Sequence, residues 1–241
     1  MRLRPWRAVL SVCCALLVMN GAAACGNAAQ AGKDESELRR PVGGPVPERL
    51  DADGTTIHVG RKGATGTMHL YEDPRCPVCK VFEGSPGARV LRDSTERGYV
   101  STDYTLASFL DDGLGGGGSK RAVNALRAAL EEGHFAAYHE VLYAHQPEES
   151  VDGFTTARLL ALASKVEGLR GPAFDKAVRT MRYADFVAAS EAAMERDGIR
   201  GTPSFVLDGE LVANGTDETV TTETGMNLTL ITRGQEQFGQ F

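Results

Sequence analysis

Residues 71–80, "YEDPRCPVCK", contain two cysteines three positions apart, Cys76 and Cys79. The other three cysteines of the 241-residue chain all lie within its first 25 residues. A pair at this spacing can be half of a zinc site, a structural crosslink, or a dithiol that is oxidised and reduced as its function. The residues around the pair help to separate these alternatives.

The pair is poorly placed as a structural crosslink. A disulfide between Cys76 and Cys79 would close a loop of only four residues. Such a bond stabilises the fold by about 2 kcal/mol through the entropy of the unfolded chain, less than half of what a loop of about 100 residues gives. Stability is therefore a weak reason for a disulfide at this position.

A zinc site also fits the sequence poorly. Structural zinc needs four ligands, and the chain beyond residue 25 has no second cysteine pair. The histidines are scattered rather than spaced as a ligand set: His58, His69, His134, His139 and His145. We therefore expect no metal site, and nothing in the sequence requires a cofactor.

A redox-active dithiol fits the local pattern better. Residues 67–73 are typical of a strand, and Pro77 suits the first turn of a helix. A helix N-terminus offers free N–H groups and a partial positive charge, and both favour a thiolate. Cys76 is thus the candidate nucleophile, and Cys79, one turn later and deeper, would attack a mixed disulfide on it. Arg75 either assists the thiolate or is a solvated surface residue.

The rest of the chain predicts a mixture of strands and helices. Further strands are expected at residues 55–60 and 99–109, and the helix after Pro77 should break at residues 84–86. Residues 111–120 are glycine-rich and predict a flexible turn. Towards the C-terminus we expect a hairpin (204–207 and 210–213, turning at 208–209), and a polar tail from residue 214 with one closing helix.

Residues 119–198 predict four or five helices with no strand among them. The first should open with Ser119 as its cap and bury Val123, Leu126 and Leu130 on one face. The larger apolar side chains of the block are expected in the core: Tyr138, Leu142, Leu159, Leu160, Leu162 and Phe186.

Residues 1–24 predict an export signal. Three arginines precede an apolar run at residues 8–19, and small residues precede Cys25. The arrangement is similar to a bacterial lipobox, in which Cys25 would carry the lipid. Ala22 stands where a lipobox usually has leucine, so cleavage and secretion without a lipid is the alternative. Residues 25–48 lack any apolar period and predict a linker.

Charge and cysteine content limit the function further. Without the three arginines of the signal the formal charge of −6 becomes −9, which argues against binding to nucleic acid. Export would also place the Cys76–Cys79 pair in a compartment where disulfides persist.

These motifs together resemble a known family. The segment "YEDPRCPVCK", the helical block and "GTPSFVLDGE" (201–210), in that order, resemble the DsbA-like branch of the thioredoxin superfamily. The resemblance implies an α/β thioredoxin fold over residues 49–241. A helical domain, at about 119–198, is inserted between the Cys-X-X-Cys half and the C-terminal hairpin.

The resemblance also implies roles for residues around the pair. Pro203 would follow a cis peptide bond and face the disulfide, whereas without the resemblance a trans proline opening an edge strand is the simpler expectation. Thr202 would offer backbone groups to an extended client chain. Pro77 and Val78, between the cysteines, would complete the client-binding surface.

Two departures from the family pattern bear on mechanism. Members commonly have a buried acid six positions before the first cysteine, and this chain has Leu70 there. Glu72 and Asp73 are close by, but strand alternation sends them to opposite faces, so neither is assigned the role. The most oxidising members have a histidine between the cysteines, and this chain does not.

The sequence thus predicts an exported thiol-disulfide oxidoreductase that exchanges disulfides with exported proteins. We expect it to act as an oxidant, anchored to the membrane through Cys25 and reoxidised by a membrane redox partner. The alternatives are a disulfide reductase or isomerase, and an anchored adaptor whose helical block binds a partner without catalysis.

Overall fold

A computed structural model describes residues 44–238. The predicted export signal (1–24), the predicted lipid site at Cys25 and most of the predicted linker (25–48) lie outside the described residues, as do residues 239–241. Within the described part, no helix has the length and apolar character needed to cross a membrane.

A six-stranded mixed sheet organises the described part of the chain. Its strands are β1 (Glu48–Leu50), β2 (Ile57–Val59), β3 (Thr67–Glu72), β4 (Ser101–Leu106), β5 (Ser204–Leu207) and β6 (Glu210–Asn214). Their spatial order is β1-β2-β4-β3-β5-β6, and β3 runs parallel to β4 while the other neighbours are antiparallel. Asp208 and Gly209 form the β5–β6 turn with positive φ angles of 50° and 88°.

Ten helices pack around this sheet in the described residues. They are α1 (Pro77–Glu83), α2 (Pro86–Glu96), α3 (Leu110–Leu114), α4 (Gly118–Glu131), α5 (Phe135–Ala144), α6 (Thr156–Ala163), α7 (Pro172–Arg179), α8 (Ala184–Arg196), α9 (Glu218–Thr221) and α10 (Glu223–Phe238). The break between α1 and α2 is confirmed, because Ser85 caps α2 by accepting the N–H of Ala88. Helices α4–α8 form the expected block between β4 and β5.

Four local expectations were wrong. The predicted linker extends to residue 48, whereas Glu48 is the first residue of β1. Three residues are too few to show an alternating pattern in the sequence. Helix α3 lies in the stretch expected to be a flexible turn. Ser119 does not cap α4, since Gly117 precedes that helix and the Ser119 hydroxyl donates to Asp73 instead. The tail contains two helices, α9 and α10, in place of one.

The alternation of side chains along β3 and β4 separates two faces of the sheet. Leu70 on β3 and Leu106 on β4 are fully buried in the main core, together with the predicted face of α4 (Val123, Leu126 and Leu130). The six larger apolar residues predicted for the core are all buried: Tyr138, Leu142, Leu159, Leu160, Leu162 and Phe186. Helix α5 packs against both α4 and α1, so the helical insertion contacts the helix that follows Cys76.

A buried ion pair joins the loop before α1 to the start of the insertion. The Arg75 guanidinium donates to Asp111 Oδ1 at 2.7 Å and to the carbonyls of Gly115 and Glu149, each at 2.8 Å. Asp111 also accepts the N–H groups of Ser119 and Lys120 in the first turn of α4. Arg75 is only 2% exposed and therefore is not a solvated surface residue.

Replacing Asp111 should cost much more stability than replacing its neighbour Asp112. Asp111→Asn leaves the buried Arg75 charge unpaired, and we expect a loss of about 3–5 kcal/mol in the free energy of unfolding, measured by urea denaturation. Asp112 pairs with Lys120 at the surface, so Asp112→Asn should change that free energy by less than about 1 kcal/mol. Equal small losses of stability in the two variants would contradict a stabilising role for the buried Arg75–Asp111 ion pair.

Candidate active site

Cys76 lies immediately before α1, as the sequence predicts. Its backbone is extended (φ −66°, ψ 117°) and Pro77 opens the helix, so the Cys76 side chain takes the capping position. Its Sγ accepts the backbone N–H of Cys79 at 3.3 Å and lies 3.3 Å from the carbonyl oxygen of Thr202. The two cysteines are in the dithiol form.

The two sulfurs have very different affinities for a proton. Hydrogen bonding from Cys79 is the largest effect on Cys76, and with smaller contributions from Thr202 and the helix amides it lowers the pKa of Cys76 to about 6, against the opposing effect of burial. Burial is the largest effect on Cys79 and raises its pKa well above the ordinary value. At neutral pH Cys76 is therefore a thiolate and Cys79 a thiol.

The other predicted site residues lie beside Cys76. Pro77 is exposed and Val78 half-buried, and Val78 packs against the cluster formed by Cys76, Cys79 and Tyr143. Thr202 is half-buried, and the peptide bond between Thr202 and Pro203 is cis, as the resemblance implies. The binding role of these four residues stays a prediction.

Gln146, in the loop after α5, is a site residue that sequence reasoning missed. Its side-chain amide donates to the carbonyls of Pro74 and Cys76, each at 2.8 Å. The backbone carbonyl of Gln146 accepts from Lys80 on α1 at 3.2 Å. These bonds hold the segment around Cys76 from the side of the helical insertion, 70 residues away in sequence, and no local motif indicates them.

Both acids before the pair are buried, but in different surroundings. Asp73 accepts hydrogen bonds from Ser119 and from the N–H groups of Arg75 and Leu110, while burial raises its pKa to about 6. Glu72 is fully buried and its Oε2 lies 2.8 Å from His139 Nε2 on α5. Glu72 and Cys79 interact electrostatically, which adds to the raised pKa of Cys79.

The histidines scattered in sequence meet carboxylates in the fold. His58 Nδ1 lies 2.7 Å from Asp103 Oδ1, with Asp51 nearby, while His139 lies between Glu72 and Glu83. In each group the histidine already has a carboxylate as hydrogen-bond partner, so we interpret both as hydrogen-bonded pairs. The expectation of no metal site stays a prediction.

The geometry provides the two chemical roles that thiol–disulfide exchange needs. A sulfur that holds its negative charge easily is a good leaving group, and Cys76 meets this condition. A second sulfur must lie close enough to displace whatever is bound to the first, and Cys79 packs in one cluster with Cys76 and donates its backbone N–H to Cys76 Sγ at 3.3 Å.

Comparison with known proteins gives the same interpretation. A thioredoxin family model matches residues 52–223. The disulfide bond formation protein D of Bacillus subtilis is 23% identical over 161 residues, which cover 66% of this chain and 70% of that protein.

Solved structures share the fold. Oxidised BdbD from Bacillus subtilis superposes with a TM-score of 0.63 and 19% identity, covering 80% of this chain and 100% of that one. Reduced DsbA from Mycobacterium tuberculosis superposes with a TM-score of 0.59 and 20% identity, covering 82% and 94%.

The alkylation rate of the reduced protein should depend on pH through Cys76 alone. Because the thiolate is the reactive form, we expect the rate to be half-maximal near pH 6 and to fall about tenfold for each further pH unit below that value. Stopped-flow alkylation with iodoacetamide and mass mapping measures both the rate and the modified residue. Cys79→Ala removes the main hydrogen bond and should move the midpoint upward. A wild-type midpoint near that of a free thiol, about pH 8.5, would contradict the interpretation of Cys76 as a stabilised thiolate.

Proposed function

The chain belongs to the thioredoxin family, and we propose that it is a DsbA-like extracytoplasmic thiol-disulfide oxidoreductase that oxidises exported proteins. The observation that carries this proposal is the difference between the two sulfurs of one Cys-X-X-Cys pair. Cys76 is stabilised as a thiolate at the start of α1, and Cys79 is kept as a thiol by burial.

Each turnover consists of two displacements. In the disulfide form, a client thiolate attacks Cys76 Sγ, and Cys79 leaves as a thiolate that takes up a proton. A second client thiolate then attacks the client sulfur of the mixed disulfide, the client disulfide forms, and Cys76 leaves as a thiolate. Two electrons have passed from the client to the pair, and a membrane redox partner takes them when the disulfide is restored.

The low pKa of Cys76 favours oxidation as the direction. A stabilised Cys76 thiolate stabilises the dithiol form and so makes the disulfide a stronger oxidant. The reactive cysteine of thioredoxin has a pKa of about 7, and its disulfide has a reduction potential of about −270 mV. The corresponding values for DsbA are about 3.5 and about −120 mV. The Cys76 pKa of about 6 lies between those of the thioredoxin and DsbA cysteines.

The client would bind in extended form beside Cys76. Pro77 and Val78 would form one side of the contact, and the chain at Thr202 and Pro203 would offer its backbone on the other. We propose that residues 1–24 direct export and that a lipid on Cys25 anchors the protein, with residues 25–48 as a linker. Cleavage without lipidation is the alternative.

The equilibrium with glutathione should place the Cys76–Cys79 pair between thioredoxin and DsbA, at a potential between about −270 and −120 mV. The measurement is the fraction of protein oxidised in a series of glutathione buffers. A potential at or below about −270 mV would contradict the oxidant direction and favour a reductase or isomerase.

Variants of the two cysteines provide the matched control. With an unfolded client that carries a disulfide, Cys79→Ser should accumulate a mixed disulfide, because Cys76 displaces one client sulfur as a thiolate and Cys79 is missing to displace the other. Cys76→Ser should form none, because its buried Cys79 stays a thiol. If Cys76→Ser keeps full activity in cells, the protein is a binding adaptor and the proposal fails.

A further inference from the structure

Gln146 connects the helical insertion to the backbone of the nucleophile. Its side chain is only 6% exposed, and its amide nitrogen donates to the carbonyls of Pro74 and Cys76, each at 2.8 Å. The opposite orientation of the amide would place its oxygen against two carbonyl oxygens, so the two acceptors determine which atom is the nitrogen. The donor capacity of the amide is therefore spent on the segment that carries the reactive sulfur.

The two acceptors belong to one tight turn. The N–H of Cys76 donates to the carbonyl of Asp73 at 2.9 Å, so residues 73–76 form a turn with Pro74 at its second position. Gln146 binds the carbonyls of the second and fourth residues of this turn. It thus holds the turn from the side of the insertion, at the point where β3 leads into α1.

The peptide unit between Cys76 and Pro77 depends on its carbonyl for anchoring. Proline has no N–H, so the Cys76 carbonyl is the one hydrogen-bonding group of that unit. Within α1 this carbonyl accepts the N–H of Lys80 at 3.3 Å, which is longer than the usual range of about 2.7–3.2 Å. The bond from Gln146, at 2.8 Å, is the shorter of the two. The start of α1 is therefore anchored to the insertion as well as to its own first turn.

A second contact returns from α1 to the same loop. The ammonium group of Lys80, one turn after Cys76, donates to the backbone carbonyl of Gln146 at 3.2 Å. The Gln146 side chain binds the beginning of α1, and the Gln146 backbone is bound from the next turn of that helix. Together these contacts fix the loop after α5 against the first turn of α1.

The placement of Cys76 decides how well its thiolate is stabilised. Its Sγ accepts the N–H of Cys79 at 3.3 Å, with smaller contributions from Val78 and Thr202. Hydrogen bonds weaken steeply as their geometry degrades, so a small displacement of Cys76 costs thiolate stabilisation. In the disulfide form, the bond to Cys79 holds the sulfur in place and the sulfur carries no charge. Anchoring of Cys76 by other groups therefore matters more in the dithiol form.

On the basis of the proposed function, we propose that Gln146 is a positioning residue, which holds Cys76 over the first amides of α1 in the dithiol form and thereby makes the disulfide a stronger oxidant. Gln146 bonds to backbone carbonyls, so it acts through Cys76 and not on the client. The insertion then contributes to the direction of exchange, and does not only enclose the pair.

The first test measures the ionisation of Cys76. Gln146→Met removes the donors at nearly the same side-chain length and changes no charge. We expect the pKa of Cys76 to rise from about 6 by about half a unit to one unit, the shift that corresponds to the loss of one hydrogen bond of ordinary strength. The measurement is the ultraviolet absorbance of the thiolate in reduced protein as a function of pH.

Charged and titratable groups face Cys76 from several elements, and the substitution alters none of them. They are Glu72 at the end of β3, Arg75 in the turn, Cys79 and Lys80 on α1, and Tyr143 on α5. Burial raises the pKa of Tyr143 well above its ordinary value, so its hydroxyl stays uncharged near neutral pH. A shift in the pKa of Cys76 in Gln146→Met would therefore report the placement of the sulfur.

The second test measures the equilibrium with glutathione. A less stable Cys76 thiolate makes the dithiol form less stable, so the disulfide becomes harder to reduce. For the expected change in pKa, the equilibrium constant at pH 7 should move about two- to fivefold towards the disulfide form. The fraction of oxidised protein in a series of glutathione buffers gives this constant for the wild type and for Gln146→Met.

Comparison of the two redox forms separates positioning from a general structural role. A residue that only stabilised the fold would contribute equally to the free energy of unfolding of the oxidised and reduced proteins, and its loss would leave the potential unchanged. We expect urea denaturation to show a larger loss in the reduced form of Gln146→Met than in its oxidised form. Equal losses, with an unchanged pKa and potential, would overturn the proposal.

Ser150→Ala is the matched control. Ser150 lies in the same loop after α5, its side chain is exposed, and the substitution is likewise neutral in charge. We expect the pKa of Cys76 and the equilibrium with glutathione to stay as in the wild type. An equal shift in Ser150→Ala would mean that any change in this loop alters the pair, and would contradict a specific role for the Gln146 amide.

A measurement on the wild type covers the case in which Gln146→Met fails to fold. In nuclear magnetic resonance spectra of the reduced protein, the side-chain amide protons of Gln146 should exchange slowly with water and should shift with the ionisation of Cys76 near pH 6. Amide signals that exchange as fast as those of an exposed glutamine, and do not respond to this ionisation, would overturn the proposal.

The outcomes also separate this inference from the function on which it rests. If the wild type does not exchange disulfides with glutathione, the oxidoreductase proposal itself fails. If the wild type exchanges them and Gln146→Met keeps the wild-type pKa and equilibrium constant, the positioning role is wrong and the oxidoreductase remains.

Discussion

The hydrogen bonding of Cys76 Sγ by Cys79 is the interaction on which the site depends. Cys76 Sγ accepts the backbone N–H of Cys79 at 3.3 Å, and hydrogen bonding from Cys79 lowers the pKa of Cys76 while burial raises that of Cys79, so Cys76 is the thiolate. The start of α1 supplies the amides that stabilise the charge, and the core supplies the burial that keeps the second proton in place. A pair in a symmetric environment would share its charge and would lack a defined nucleophile.

The helical insertion is what maintains that asymmetry. It encloses Cys79 with Tyr143, holds the carbonyl of Cys76 through Gln146, and anchors the preceding loop through the neutralisation of Arg75 by Asp111, just before α4. These contacts join residues that are 36 to 70 positions apart in the sequence. The insertion therefore encloses the buried side of the active site.

The sequence predicts those parts of the molecule that depend on local rules. Pro77 at the first turn, the Ser85 cap and the turn at Asp208-Gly209 are each decided by neighbouring residues, and all were found where expected. The hydrogen bonds of Ser119 and Arg75 could not be predicted in this way, because the partner of each residue is distant in sequence and comes close only in the folded chain. The same holds for His139, which in sequence is one of five scattered histidines and in the fold is bonded to Glu72.

Strand geometry explains why a carboxyl is accommodated at position 72 of β3 and not at position 70. Side chains two apart point to the same face, so Glu72 faces the same core as Leu70 but lies about 6–7 Å nearer to α1. At position 70 a carboxyl would be enclosed by apolar side chains, since Leu70 is fully buried in the main core. At position 72 it meets His139 of the insertion, whose Nε2 lies 2.8 Å from Glu72 Oε2. The insertion therefore supplies the hydrogen-bond partner that makes a fully buried carboxyl tolerable at the end of β3.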